Sequence, residues 1–520
     1  MSDRRPESGK ARTTRRRFLY GAGVATGALA VGRRATAQTT KKTDLVMAQS
    51  GDISKLDPHL STAGFDVTVT FNLYDHLVSR RRDNKLYPSL ATSWASVAPT
   101  AWQFKLRPGV KFHNGDPFTS ADVKFSVGRT YDPQAKTNVS TIFTTVDRID
   151  TPDALTVTFI TKKPDPLLPA RLAFYGGQII PKKYFEAVGA DEFNAKPIGT
   201  GPVKFVSWRK DDQAVFDAVP DYWGGRVNFN RLVFRPIPET STRVAALLKG
   251  EVDMISKLPP DQLEQVRNHP STKVESALFA GQYVLAVNSK RPPLDNPLVK
   301  QALSLAIDRE AILKELWHGQ GIVPNGPIAK GDNHYNDKLP PLKHDPAAAR
   351  QRLQAAGYKG EEIVLETTSG VVSNDKAMSE AVTAMWRDVG INAKVELIEA
   401  SVRAQKIRER SLKGLLWIEP ASTLGDPDGM MWRLLAPGAV YEYWRQPRFE
   451  ELGNAARFSL DESFRGKAYA EMSQIVLENF PWIPILQAND NYGLQRYVEW
   501  KPYSNQQIEL RAFNFRFRQA

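Results

Sequence analysis

Leu86 to Arg129 read LYPSLATSWASVAPTAWQFKLRPGVKFHNGDPFTSADVKFSVGR. Trp102, Phe104 and Leu106 alternate with Gln103 and Lys105, the period-2 pattern of a half-buried strand. Arg107-Pro108-Gly109 supplies a turn, because proline fixes φ and glycine tolerates positive φ. Val110 to Phe112 is expected to return as a second short strand, broken by His113-Asn114-Gly115-Asp116-Pro117. Thr119 stands three residues before Asp122, a pairing that predicts a capping box at a helix start. Val123 and Val127, one turn apart, give that helix its buried stripe.

Outward from this block the same cues recur. Asp44 to Ala48 reads as a first buried strand and Leu155 to Phe159 as another. The glycines of Ile198-Gly199-Thr200-Gly201-Pro202 point to a tight turn between strands. A phosphate loop is disfavoured there, since no Lys-Ser/Thr pair follows and no helix is signalled after Gly201. Val244, Leu247 and Leu248 mark a short helix that Gly250 ends before a strand at Val252–Ile255. Tyr283 to Asn288 is a buried strand. Asn296 caps a helix with Pro297 at its first position, and Leu298, Ala302, Leu305, Ala306, Ile312, Leu313 and Leu316 form one apolar face. Helices starting at Asp345-Pro346 and spanning Met378 to Val389, each stopped by a glycine, lead to a strand at Ala393–Leu397. This alternation argues for a mixed or parallel sheet covered by helices.

A chain of 520 residues exceeds the usual size of one hydrophobic core, so two or three domains are expected. Cysteine is absent, which excludes a disulfide framework, thiolate metal sites, a cysteine nucleophile and lipid attachment at an N-terminal Cys. The net charge of +13 is unevenly placed: residues 1–37 carry nine basic and two acidic side chains, leaving +6 for the rest. That is a mildly basic surface, and no nucleic-acid partner is expected. Thr14-Arg15-Arg16-Arg17-Phe18-Leu19 matches the twin-arginine export pattern. The apolar run Phe18–Gly32 is shorter than the roughly 20 residues a membrane-spanning helix needs. Ala35-Thr36-Ala37 offers a cleavage site, so residues 1–37 read as a signal peptide and the mature chain is expected to begin at Gln38. The product is expected to be periplasmic, soluble and not lipid-anchored.

Catalytic constellations are not evident. Gly-x-Ser-x-Gly, His-Glu-x-x-His and a dinucleotide fingerprint after a strand are all missing. The seven histidines fall at spacings that suit no metal site, and Asp426-Pro427-Asp428-Gly429 lacks the ligand spacing of a calcium loop. No enzyme activity, metal or cofactor is expected.

The core of the opening block, LRPGVKFHNGDPFTSADVKFS, closely resembles the most repeated block of the family 5 extracellular solute-binding proteins of ABC importers. Leu56-Asp57-Pro58-His59, Asn72 to Val78 (placed on a helix), Ile198 to Pro202 with Asp221-Tyr222-Trp223-Gly224-Gly225, and Val299 to Arg309 resemble it too. The resemblance implies an α/β, two-lobed periplasmic-binding-protein fold, of type II and the large three-subdomain variety, with mixed sheets and a hinge. It implies a first lobe over 38–280, including a subdomain around 60–190, a second lobe over 281–487, and a return segment, 488–520, that completes the first. The implied function is capture of a peptide or other small solute in the interlobe cleft, with delivery to a permease and ATPase complex by a monomeric binding subunit. An opine, sugar or metal-chelate binder, or an enzyme on the same fold, is the alternative. Candidate ligand contacts carried by the resemblance are Phe174, Tyr175, Trp417, Glu419, Thr423, Gln487 and Asn489. Leu415 to Leu434 resembles the cleft segment that holds an aromatic floor and, in peptide binders, a carboxylate for the ligand's ammonium. Thr423 stands at that acid's position, so a neutral hydroxyl replaces the charge; Glu419 is the nearby substitute, and Trp417 is either a stacking wall or core.

Overall fold

The computed structural model describes residues 42–518, and the expected signal peptide lies outside them. Its centre is a mixed sheet of twelve strands. Asp44–Gln49 runs parallel to both Arg231–Pro236 and Met254–Ile255. Ile363–Thr367 runs parallel to Ala393–Leu397 and Leu415–Ile418. One long strand, Trp482–Gln495, joins the two groups. Its first half pairs antiparallel with Tyr283–Val287, and its second half with Thr272–Leu278 and Met254–Ile255.

Side-chain alternation along these strands builds a core on each face of the sheet. Leu45 and Met47 enter one cluster with Phe216 and Leu232, while Ala48, one residue along, enters another with Val244 and Leu247. Leu285 and Val287 face a cluster with Trp386 and Trp417, whereas Val284 and Ala286 face one with Trp432 and Trp482. A further core, Leu77 to Ile179, lies beneath the four-stranded antiparallel sheet of Ala91–Ala98, Ala101–Leu106, Thr156–Thr161 and Val146–Asp153.

The opening block folds largely as its sequence dictates. Phe104 and Leu106 are buried, and Asp122 Oδ2 accepts from the Thr119 N–H at 2.9 Å and the Thr119 hydroxyl at 3.1 Å, starting the helix Ser120–Tyr131. Val110 to Phe112 is not a strand, however. Phe112 N donates to Asp116 O in a tight loop, and Ala101–Leu106 instead pairs with Ala91–Ala98 and Thr156–Thr161. The single apolar face expected from Leu298 to Leu316 is two helices, Pro297–Leu305 and Arg309–Trp317. Asp308 interrupts the first and caps the second, accepting from Ala311 N at 2.9 Å.

The glycine pair at 199 and 201 lies between the helix Lys182–Ala195 and the strand Val203–Arg209, not between two strands. A Cβ on either glycine would strike the Leu73 or Asn72 carbonyl, so the pair serves close packing. The helix Gly64–Leu73 ends there, earlier than expected, and Tyr74 to Leu77 leave it. Asp75 then becomes a hub. It accepts from Thr200 Oγ1 (3.0 Å), Tyr222 Oη (2.8 Å), Trp223 Nε1 (2.8 Å) and Arg511 Nη2 (2.6 Å). Three separated stretches of sequence meet on one carboxylate.

Candidate functional site

Leu415–Ile418 places Leu415 and Trp417 on one face of the sheet. Trp417 is fully buried, and its indole N–H donates to Ser379 Oγ at 2.7 Å. Its ring packs in the core cluster with Leu285, Trp386 and Ile483. Trp417→Phe is therefore expected to cost about 1–3 kcal/mol through the lost hydrogen bond and partial void, with solute affinity unchanged. Urea unfolding and calorimetry on one variant check both halves.

Past the strand, the chain runs beside Ala280–Gln282. Ser422 N donates to Ala280 O at 2.6 Å, and Gln282 N to Pro420 O at 3.2 Å. Glu419 is half-buried there, and its carboxyl is pushed up to about 7, chiefly by burial, with Lys257 opposing and Asp490 reinforcing. Lys257 Nζ in turn sits 3.2 Å from Asp490 Oδ1, whose other oxygen accepts from Gln506 Nε2 at 2.9 Å.

Thr423 lines a cavity of about 330 Å³ together with Phe174, Arg171, Asp428, Trp432 and Arg433. Phe174 and Thr423, far apart in sequence, thus face one space. Tyr175 packs on Phe174 with ring centroids 3.8 Å apart, and Phe71 meets both edge-on. Asp428 is held from both sides: Arg171 Nη2 lies 3.5 Å from one oxygen and Arg457 Nε 3.7 Å from the other. Gln487 is already committed, accepting from Lys330 N (2.9 Å) and donating to Phe279 O (2.7 Å) and Lys330 O (3.0 Å). Asn489 pairs opposite Leu278 in the long strand, and its backbone N–H donates to Gln320 O.

Two charged residues absent from the sequence expectations stand at the same junction. Asp332 is buried, and neither of its oxygens has a hydrogen-bond partner among the described residues. The Ser422 hydroxyl stands beside it without a well-formed bond. Burial pushes the Asp332 carboxyl up to about 7; Asp426 adds to this and Arg80 works against it. Arg80 belongs to the hairpin Val78–Pro88, and Asn84 of that hairpin donates Nδ2 to the Gly331 and Gly425 carbonyls, each at 3.1 Å. Gly425 has φ +64°, and a Cβ there would strike Asn84 and Arg80. The run Arg80-Arg81-Arg82 is the one sequence signal that could have marked this junction. Asp332 carries none.

His334, Asp426 and Glu462 bring three ligand-type atoms within 4.8 Å of one another. Arg465 occupies both acids, at 2.7 Å from Asp426 and 3.1 Å from Glu462. Both acids are ion-paired with that guanidinium, which a cation would have to displace, while His334 Nε2 has no hydrogen-bond partner among the described residues.

Residues 85–442 match the family model described as bacterial extracellular solute-binding proteins, family 5, middle region. The chain belongs to the family 5 solute-binding proteins. Among curated members it is 27% identical over 485 residues to a glutathione-binding protein of Pectobacterium atrosepticum, covering 91% of this chain and 92% of that one. It is 28% identical over 492 residues to di/tripeptide-binding protein 2 of Pseudomonas aeruginosa, covering 88% and 92%. Among solved family 5 structures, the ABC-transporter-associated periplasmic binding protein DppA of Helicobacter pylori, in complex with the peptide STSA, superposes with a TM-score of 0.77. Identity to it is 25%, covering 92% of this chain and 98% of that one. As in that family, the fold is a mixed α/β one built on several sheets. No helix among the described residues is long and apolar enough to cross a membrane.

Proposed function

We propose that this chain is the exported, monomeric substrate-binding subunit of an ABC importer, which captures a peptide or another small amine-bearing solute between two lobes and presents it to a membrane permease and its ATPase. The first lobe comprises 38–280 and 488–520, the second 281–487. The chain crosses between them at Leu278–Tyr283 and again within the long strand near Gln487–Asn489. The observation that carries the reading is the shared cavity, with Phe174 and Arg171 on one side and Thr423, Asp428 and Arg433 on the other. Concave interdomain spaces are the usual sites of small ligands, and hinge closure the usual way of enclosing them. The Arg171–Asp428 ion pair and the Asn84 contacts to Gly331 and Gly425 act as closing contacts.

Two facts support an amine-bearing ligand. The relatives above are named for glutathione and for di- and tripeptides, and the solved H. pylori relative holds a peptide. Asp332, a buried carboxyl without a hydrogen-bond partner, lies beside Ser422, the chain neighbour of Thr423, and outside the lining of that cavity; we take it as the acid that an arriving ammonium ionises in place of the charge missing at Thr423. A charge-assisted hydrogen bond to an ammonium repays the burial of that carboxylate. Ligand is bound and released unchanged.

The test is a thermal-shift panel of di- and tripeptides, glutathione, opines, sugars and nickel chelates, followed by calorimetry of the hits. A ligand at a hundredfold excess over Kd stabilises the native state by about 2.7 kcal/mol. Peptides are expected to score, and Asp332→Asn to weaken them about tenfold or more. A sugar as the sole hit overturns the amine reading. Product accumulating in molar excess over protein overturns the transport reading.

A further inference from the structure

Behind the Phe71–Phe174–Tyr175 cluster lies a second cavity of about 290 Å³, walled by the 78–89 hairpin, Trp223-Gly224 and the 507–513 tail. Four guanidinium groups line it (Arg80, Arg81, Arg107 and Arg511), with Glu509 as the facing carboxylate. Two of the four are held in place. Arg511 binds Asp75 and Glu509, and Arg107 donates Nε to Ser89 O at 3.0 Å while lying 4.7 Å over the Trp223 ring.

Other polar groups along the wall are only partly engaged. Arg80 is 6% exposed and uses only Nη1, on Asn84 O (3.2 Å) and Oδ1 (2.8 Å); its Nε and Nη2 have no partner among the described residues. Asp332 acts on Arg80 from a distance, but no Asp332 oxygen comes within 4.0 Å of it. Gln507, 5% exposed, leaves Nε2 unpartnered, and Arg81 leaves Nε unpartnered between the Tyr87 and Phe513 rings. His76, 6% exposed, presents Nε2 with no partner. Burial holds the His76 ring neutral, down to about 3, so one of its two ring nitrogens is a lone-pair acceptor. Burial lowers Arg80 only to about 10, which leaves it charged at neutral pH. Buried donors without partners are costly, and a guanidinium edge with two free N–H groups has the spacing of a carboxylate or phosphate.

We propose that this pocket is a ligand site separate from the interlobe cavity, taking a small oxyanion on the Arg80 Nε–Nη2 edge and the Gln507 amide, with a hydroxyl or amine donor turned to His76. A carboxylate and a phosphate share that geometry. Calorimetry with malate, which carries carboxylates and a hydroxyl, and separately with inorganic phosphate tells them apart. One saturable site for either probe is expected. Arg80→Gln should weaken it about tenfold or more, and Gln507→Leu several-fold. Arg433→Ala, in the interlobe cavity, should leave it unchanged. If Arg80→Gln does not fold, Gln507→Leu decides. No saturable binding of either probe at millimolar concentration overturns the proposal. So does binding that survives both pocket substitutions, or binding that Arg433→Ala abolishes.

Discussion

Arg511→Leu is expected to destabilise the protein by about 3–5 kcal/mol, because it leaves buried carboxylates without their cation. The guanidinium donates Nη2 to Asp75 Oδ1 (2.6 Å) and Tyr74 O (3.1 Å), Nη1 to Glu509 Oε1 (2.9 Å) and Phe71 O (3.1 Å), and Nε to Tyr222 Oη (3.0 Å). Asp75 is wholly buried, and Glu509 nearly so. Leucine fills some of the volume but satisfies none of these oxygens, and the penalty for an unpaired buried charge exceeds what the added apolar contact returns. Arg511→Lys should fall between, since one ammonium cannot span both acids. Urea unfolding followed by tryptophan fluorescence measures the effect. A loss under about 1 kcal/mol for Arg511→Leu would refute the hub, since that is the range of an exposed pair.

Asp332→Asn is expected to do the opposite at neutral pH. The Asp332 carboxyl titrates near 7 in the folded protein, above its ordinary 3.8, because burial disfavours the charge. Below about pH 4 the folded and unfolded forms are both protonated, and the group contributes no difference. As pH rises from there to 7, the unfolded chain ionises while the folded protein keeps its proton, so wild type loses stability throughout that window. Asparagine cannot ionise, and the variant escapes the loss. Its advantage should be absent near pH 4 and reach on the order of 2–4 kcal/mol at pH 8. Urea midpoints at the two pH values provide the check; a gain of equal size at both would show that shape, not charge, is responsible. Under the proposed function the same substitution is expected to weaken amine-bearing solutes, so stability gained at this position would be offset in binding.

Local rules in the sequence were enough wherever one short stretch decides the outcome. The Thr119–Asp122 cap needs only its own four residues, with Asp122 accepting from the Thr119 N–H, and Asn296 caps Pro297–Leu305 locally too, its own side chain accepting from Leu298 N. Apolar spacing alone did not locate the break at Asp308, because the residues on both sides are apolar and only the cap at Ala311 separates the helices. Val110 to Phe112 has strand-forming side chains, yet Asp116 closes its backbone into a loop before any strand can pair with it. Among the candidate contacts, Phe174 and Thr423 line one cavity, a proximity that no window of sequence shows, whereas the alternation that turns Trp417 into the core depends on which face of the sheet Leu415–Ile418 presents. Asp332 and Arg80 meet only through tertiary packing, and neither sits in a pattern that a window of sequence can reveal.

The long strand Trp482–Gln495 has a consequence for how the chain acquires its structure. Tyr492, Leu494, Trp500, Ile508, Leu510 and Phe515 lie in the same core as Leu45 and Met47, and Asn72 donates to Ile508 O while accepting from Leu510 N. Contacts of such large sequence separation are formed late and slowly, since most of the chain must be in place before they repay its ordering. A nascent chain that has emerged only as far as the 470s can complete neither half, since both wait for the same strand. Until those last residues leave the ribosome, the growing polypeptide exposes unpaired edges at Met254–Ile255 and Tyr283–Val287, and it is in that interval that chaperone protection matters most.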